Sequence, residues 1–169
     1  MNAADIDIRR AQREEVAAIA AISVETWETA YRGIVPEDFF AERRARGEDE
    51  ARWWEALERE GHGNAVAAEE GRILGYATWT LEGEIAELAA LYVVPPAWGR
   101  GLGGKLYRHV GEQCRSAGVK RLAIWTLGGN ERAQRFYRSM GARRTGQERF
   151  FPLLPELELP EIRLEHKLE

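Results

Sequence analysis

The glycine-rich segment 98–104, Trp-Gly-Arg-Gly-Leu-Gly-Gly, constrains the fold of this chain more than any other feature. It follows the apolar run 85–94 and leads into a helical pattern, so it joins a strand to a helix. Four apolar side chains recur every four residues in that pattern: Leu102, Leu106, Val110 and Cys114. Glycines let backbone N–H groups approach an anion, and the helix directs its positive dipole end at the same place. Residues 95–105, with the charges of Arg100 and Lys105, are therefore predicted to hold a pyrophosphate.

Periodic patterns in the rest of the chain predict an α/β domain. Strands are expected at 5–10, 65–69, 73–81, 85–94, 120–126, 143–151 and 161–167. Helices are expected at 14–30, from 36 onward, at 48–60, from 101 to 118 and from 130 to 141, with a turn at 61–64. Three strands in a row, followed by strand–helix alternation, indicate a mixed sheet. The length of 169 residues fits one domain, residues 1–169.

The charge is unevenly distributed. The net charge of −4 argues against a nucleic-acid partner. Residues 98–121 hold six Lys and Arg against one Glu, and residues 131–149 hold six Arg against two Glu, which leaves −13 for the remainder. The basic segments favour a small polyanionic ligand and the acidic remainder suits a cationic or amine partner, unless these charges belong to solvated helix faces.

Other compositional features exclude several classes of protein. No apolar stretch reaches the length of about 18 residues that a membrane span needs, so no membrane partner is expected. The single cysteine and three separated histidines provide no ligand cluster, so no metal is expected. A chain with one cysteine also fits a reducing, cytoplasmic setting.

Two nucleotide-binding motifs partly match the glycine-rich segment. The spacing Gly99-x-Gly101-x-x-Gly104 is that of a dinucleotide fingerprint, but no acidic residue ends the following strand. The pair Gly104-Lys105 is also part of a near match to a P-loop, where Leu106 replaces the Ser or Thr that binds magnesium. A nucleotide-binding protein therefore stays a weaker alternative.

A longer stretch resembles a known family. Residues 91–104, Leu-Tyr-Val-Val-Pro-Pro-Ala-Trp-Gly-Arg-Gly-Leu-Gly-Gly, resemble the acyl-CoA loop of the GNAT superfamily of N-acetyltransferases. Residues 130–141, Asn-Glu-Arg-Ala-Gln-Arg-Phe-Tyr-Arg-Ser-Met-Gly, are similar to the second family signature, Asn-x-x-Ala-x-x-Phe-Tyr-x-x-x-Gly. The resemblance spans 5–167. It implies a single-domain α/β fold whose central sheet is mixed, mostly antiparallel, six- to seven-stranded, splayed at strand 4 and flanked by helices.

The resemblance implies acetyl-CoA as co-substrate and no metal. The backbone of strand residues would pair with the pantetheine arm: Leu91, Tyr92 and Val93. Backbone N–H groups of the loop would hold the pyrophosphate: Gly99, Arg100, Gly101, Leu102, Gly103 and Gly104, with Lys105 beside them. Trp98 is also expected among the cofactor-binding residues, although it stands where the family commonly has Gln or Arg, so a polar side-chain contact is lost. Asn130 matches a CoA-contacting Asn, and it also reads as a helix N-cap.

The resemblance also implies catalytic roles. Tyr137 matches the general acid that protonates the leaving thiolate; the alternative is a core aromatic residue. Glu87 is our candidate base; the alternative is a surface charge. Strand alternation puts Glu87, Ala89 and Leu91 on one side unless a bulge intervenes. A backbone N–H near Val93 would meet the oxyanion.

The acceptor side is less well specified. In the resembling family, the end of the first helix borders the acceptor cleft, which implicates Trp27, Tyr31 and Arg32; ordinary packing is the alternative. The implied activity is acetyl transfer to a primary amine, a small metabolite or antibiotic rather than a protein N-terminus. The alternative is a non-catalytic acyl-CoA-binding sensor or regulatory module. A homodimer is possible.

Overall fold

The computed structural model describes residues 5–47 and 50–169. Seven strands form one sheet in the order β1-β2-β3-β4-β5-β7-β6. The strands are β1 (Ile6–Arg9), β2 (His62–Glu69), β3 (Arg72–Glu82), β4 (Ile85–Val93), β5 (Arg121–Leu127), β6 (Arg143–Leu154) and β7 (Leu157–Lys167). The α-helices are α1 (Val16–Tyr31), α2 (Glu37–Gly47), α3 (Glu50–Glu58), α4 (Leu102–Ser116) and α5 (Glu131–Ser139). The predicted mixed sheet is confirmed, while the predicted helix start at 48–49 lies outside the described residues.

The sheet splits between β4 and β5, as predicted. These two strands are parallel, and every other pairing in the sheet is antiparallel. Their pairing runs from Ile85 opposite Arg121 to Leu88 opposite Ile124. Both strands then continue, β4 to Val93 and β5 to Leu127, without pairing to each other. The gap between them opens toward the glycine-rich loop.

A β-bulge in β4 changes which face its residues present. The register places Thr78 opposite Ala90 and Trp79 opposite Leu88. Ala89 is therefore an extra residue, and the alternation changes phase there. Glu87 consequently lies on the face of Tyr92 and not on the face of Leu91. The bulge that the sequence left open is present, so simple alternation does not hold here.

Helices cover both faces of the sheet. On one face, α4 buries the predicted apolar repeat against β3, β4 and β5. On the other face, α1 and α3 pack on β2 and β3 through Ile19, Ile22 and Leu57. Cys114, the last residue of this repeat, is fully buried, and burial raises the pKa of its thiol to about 11. No helix within the described ranges is long and apolar enough to cross a membrane.

The predicted turn at 61–64 is shorter than expected. Of its four residues, only Gly61, with φ +74°, lies outside the strand, because β2 begins at His62. The amide of Asn64 makes a strand possible here. Its Oδ1 accepts a hydrogen bond from the Ala11 N–H at 3.0 Å, and its Nδ2 donates to the Leu57 carbonyl at 3.0 Å. A buried polar residue is thereby satisfied inside the sheet.

Candidate active site

The split in the sheet opens into a cleft of about 980 Å³. We divide its lining into two halves. The loop half consists of Leu91, Val93, Trp98, Gly99, Gly101–Gly104, Asn130 and Arg132. The aromatic half consists of Trp27, Tyr31, Arg43, Tyr76, Glu87, Tyr92 and Tyr137. Most of the predicted site residues, from distant parts of the chain, thus line one cavity; Arg32, Arg100 and Lys105 do not.

Uncapped backbone donors dominate the loop half. Gly101 is the N-cap of α4 with φ +81°, a left-handed conformation that glycine adopts without strain, and no side chain caps the helix. The first helical hydrogen bond runs from the Lys105 N–H to the Gly101 carbonyl at 3.1 Å. The N–H groups of Leu102, Gly103 and Gly104 therefore lack an intrahelical acceptor. No acidic residue lies in this first turn, so the donors and the helix dipole favour an anion.

The charged side chains of the loop point elsewhere. The Arg100 guanidinium is exposed and pairs with the Glu69 carboxylate. Lys105 is exposed and is not part of the cleft lining. Anion binding in this half therefore depends on backbone groups more than on these two side chains.

Trp98 joins the loop to β4. Its Nε1 donates a hydrogen bond to the Val93 carbonyl at 2.6 Å. The guanidinium of Arg132, on α5, lies 3.3 Å from the centroid of the indole ring. Trp98 was predicted as a cofactor-binding residue that lacks the polar side chain common at this position, whereas the contact with Arg132 was not predicted. The position of Arg132, two residues after Asn130 in the second signature, was the available signal.

Asn130 links the two halves. Its Oδ1 accepts a hydrogen bond from the Ala133 N–H at 3.1 Å, which confirms the helix-cap alternative. Its Nδ2 donates to the Tyr31 hydroxyl at 3.1 Å. Both ends of the amide are thus engaged within the protein, and the start of α5 is tied to the end of α1.

Four tyrosines line the aromatic half: Tyr31, Tyr76, Tyr92 and Tyr137. Tyr137 is buried, and burial together with the neighbouring Tyr92 and Tyr31 raises its pKa well above the ordinary value. Burial also raises the pKa of Tyr31 to about 12. The Tyr92 hydroxyl accepts a hydrogen bond from the Trp27 Nε1 at 2.8 Å. The phenols of Tyr31, Tyr92 and Tyr137 therefore stay protonated at neutral pH.

Of the other predicted residues, Glu87 reaches the cleft and Arg32 does not. The bulge at Ala89 turns Glu87 toward the aromatic half, where it is half-buried. Arg32 is exposed and lies 3.9 Å from the Glu28 carboxylate, outside the cleft lining. Trp27 and Tyr31, by contrast, both line the cavity.

Arg43 is a cleft residue that the sequence analysis missed. Its Nη2 donates a hydrogen bond to the Ser23 Oγ at 2.7 Å, and its guanidinium lies 4.5 Å from the centroid of the Trp27 ring. The available signal was its spacing on α2, because it follows Phe39 by four residues and Phe40 by three, which places it on the helix face that packs inward.

Comparisons with known proteins agree with this geometry. A sequence model of the acetyltransferase (GNAT) family matches residues 15–142. An uncharacterized N-acetyltransferase of Archaeoglobus fulgidus is 30% identical over 146 residues, covering 82% of this chain and 94% of that protein. An uncharacterized N-acetyltransferase of Bacillus subtilis, YuaI, is 26% identical over 151 residues, covering 86% of this chain and 84% of that protein.

Solved structures share the fold over nearly the whole chain. The PaiA N-acetyltransferase from Thermoplasma acidophilum, in complex with coenzyme A, superposes with a TM-score of 0.80 at 17% identity, covering 96% of this chain and 99% of that chain. YncA from Salmonella typhimurium, with its cofactor acetyl-CoA, superposes with a TM-score of 0.73 at 23% identity, covering 98% of this chain and 95% of that chain.

Proposed function

Because the chain belongs to the acetyltransferase (GNAT) family, we propose that it transfers the acetyl group of acetyl-CoA to a primary amine by direct attack of the amine. Small amine metabolites or antibiotics are the favoured acceptors, ahead of protein N-termini. One observation carries the proposal: the uncapped N-terminus of α4 opens onto the same cleft as the protonated Tyr137 and the carboxylate of Glu87.

The loop half fits coenzyme A. Three N–H groups without intrahelical acceptors, at Leu102, Gly103 and Gly104, suit the pyrophosphate. An added Cβ at Gly101 would meet no atom within 4 Å, so there is open space beside the loop. Beyond Leu88, β4 still pairs with β3 but no longer with β5. Its backbone groups on the β5 side are offered to the pantetheine arm. When bound, acetyl-CoA supplies the acyl carbon in the activated form of a thioester.

The aromatic half supplies the acid and the base. Glu87 removes a proton from the acceptor ammonium, because only the neutral amine is a nucleophile. As the new C–N bond forms and the C–S bond breaks, Tyr137 donates its hydroxyl proton to the departing thiolate, whose conjugate acid has a pKa of about 8.5. The nitrogen of the new amide then gives up its second proton, which restores the Tyr137 phenol, and Glu87 releases its proton to solvent. The Tyr137 phenol is protonated at the pH where the amine reacts, so its proton is present when the thiolate forms; the pKa that burial raises does not by itself make it a stronger acid.

The test is release of free thiol from acetyl-CoA in the presence of polyamines, amino acids, aminoglycosides and N-terminal peptides. Amine-dependent release that falls by about 10²- to 10⁴-fold in Tyr137→Phe supports Tyr137 as the acid. Glu87→Gln tests the base in the same way, with a loss that shrinks as the pH rises and the free amine becomes abundant.

Each variant has a matched control. Tyr107→Phe removes the hydroxyl of another buried tyrosine, one that lies outside the cleft lining. Glu84→Gln neutralises an exposed carboxylate that pairs with Lys120 near the start of β4. Turnover in Tyr137→Phe within threefold of Tyr107→Phe would contradict the assigned acid. Thermal stabilisation by acetyl-CoA without turnover of any amine would favour the sensor alternative.

A further inference from the structure

The guanidinium of Arg43 is poorly satisfied for a positive charge in a cleft. Of its five N–H donors, one makes a hydrogen bond within residues 5–47 and 50–169, to the Ser23 Oγ. Its Nε is buried and has no acceptor. No carboxylate of the described residues lies within 4.0 Å of it, although neighbouring Arg44 pairs with Glu28 at 2.5 Å. Arg43 therefore keeps N–H donors that have no acceptor among the described residues, and it lines the cleft.

Aromatic side chains lie next to this charge. Arg43 faces the ring of Trp27, and its positive charge opposes the rise in pKa that burial causes at Tyr76 and Tyr92. A charge flanked by aromatic rings interacts with an oxyanion more strongly than one in bulk water, because the local dielectric constant is lower. A planar guanidinium also matches a carboxylate with two parallel hydrogen bonds.

The net charge of the cleft lining also favours an acceptor that bears an anionic group. Among the described residues, its lining holds four arginines and two glutamates: Arg43, Arg59, Arg132, Arg149, Glu87 and Glu161. Glu161 is neutralised by Arg149, whose Nε lies 2.6 Å from it. The acidic remainder of the chain, which suggested a cationic partner, thus lies mostly outside the cleft. A purely cationic acceptor such as a polyamine would meet net positive charge here.

We propose that the acceptor is an amine that also bears a carboxylate, and that Arg43 binds this carboxylate while the amine faces Glu87. The proposal rests on the acetyl-transfer function above and narrows its substrate class to amino acids and related compounds. Arg43 is then a specificity-determining residue. Its contacts to Ser23 and Trp27 hold the guanidinium in place and leave its remaining donors for the substrate.

The experiment measures binding apart from turnover. The full chain, saturated with coenzyme A, is titrated in a calorimeter with α-amino acids and with their carboxamides, at a slightly acidic pH that keeps both amines protonated. The acids should bind about 10- to 100-fold more tightly than the amides, the range of one or two charge-assisted hydrogen bonds. In Arg43→Gln this ratio should fall to about threefold or less. Arg43→Lys keeps the positive charge but loses the planar guanidinium. Its acid-to-amide ratio should lie between those of the unmodified protein and Arg43→Gln.

Arg44→Gln is the matched control, since it removes the same charge one position along α2, outside the cleft. It should keep the acid-to-amide ratio of the unmodified protein. Equal binding of acid and amide by the unmodified protein would overturn the proposal without reference to any variant. The proposal would also be overturned if Arg43→Gln weakened the binding of the acid and of the amide by the same factor. An equal loss is the effect expected of a residue with a structural role.

Turnover separates this proposal from the proposed function. Acetylation of amines that lack an anionic group, with no binding of amino acids, would refute the role of Arg43 and leave the acetyltransferase intact. Arg43-dependent binding of amino acids without thiol release would support the carboxylate site and refute catalysis. Absence of binding by every amino acid in the panel would overturn the proposal.

Discussion

Replacing Asn130 with alanine should weaken the fold more than it weakens cofactor binding. The change removes the N-cap of α5, which costs about 1 kcal/mol of the free energy of unfolding. It also removes the donor to the buried Tyr31 hydroxyl, and an unsatisfied buried hydroxyl costs about 1–3 kcal/mol. The free energy of unfolding should therefore fall by about 2–4 kcal/mol. For a chain of this size, that corresponds to a decrease of roughly 4–16 °C in melting temperature.

A double-mutant cycle separates the two contributions. Tyr31→Phe removes the hydroxyl and leaves the cap, so it should cost only about 1 kcal/mol. The double variant should then lose less than the sum of the single losses, by about 1 kcal/mol, because the two side chains share one hydrogen bond. Urea unfolding followed by far-ultraviolet circular dichroism gives all four free energies.

If Asn130 acted mainly as a contact to coenzyme A, its replacement would change cofactor binding more than the free energy of unfolding. A residue used mainly for the ligand would change the free energy of unfolding by less than about 0.5 kcal/mol on substitution. The KM for acetyl-CoA would then rise by about tenfold or more. That outcome would refute the structural reasoning, whereas a KM within about threefold of the unmodified value would support it.

Three further predictions concern stability. Gly75→Ala should lower the free energy of unfolding by about 1–3 kcal/mol, because its Cβ would lie 2.7 Å from the Tyr92 carbonyl oxygen; an unchanged urea midpoint would contradict this. Gly111→Ala should raise the melting temperature by roughly 1–4 °C, since its Cβ would make an ordinary 3.6 Å contact with Leu168 and alanine favours the helix. Stability should also fall at alkaline pH. Burial raises the pKa of Cys114 from 9.0 to about 11 and that of Tyr31 from 10.0 to about 12, so the unfolded chain loses these protons first. The urea midpoint should thus be constant below about pH 9 and decline through about pH 12.

Local patterns were sufficient to predict the elements of the sheet and the loop. The apolar repeat of α4 and the glycines before it are properties of neighbouring residues, so spacing alone revealed them. The face of Glu87 was not predictable in this way. It depends on the extra residue at Ala89, and a bulge is defined by the register with β3, which the sequence of β4 does not contain.

Side chains that act through tertiary contacts were also difficult to predict. The motif identified Asn130, but its hydrogen bond to Tyr31 joins residues that are 99 positions apart. Arg43 belongs to no motif, and an arginine next to Arg44 reads as part of a charged surface. The spacing from Phe39 and Phe40 indicates which of the two faces inward, and the packing of α2 against α1 shows that Arg43 is in the cleft and Arg44 is outside it.

The open stretch of β4 is also a sheet edge that faces inward. Exposed edges recruit strands from other molecules, and proteins protect them by keeping them short or by adding charge and proline. The outer strands carry such protection, because β1 has four residues and β6 includes Arg143, Arg144 and Pro152. The inner edge, Ala-Ala-Leu-Tyr-Val, has none of these residues. This edge faces the gap between β4 and β5, beneath α1 and α5. The gap admits one extended molecule, but it excludes the further strands that a growing aggregate would add.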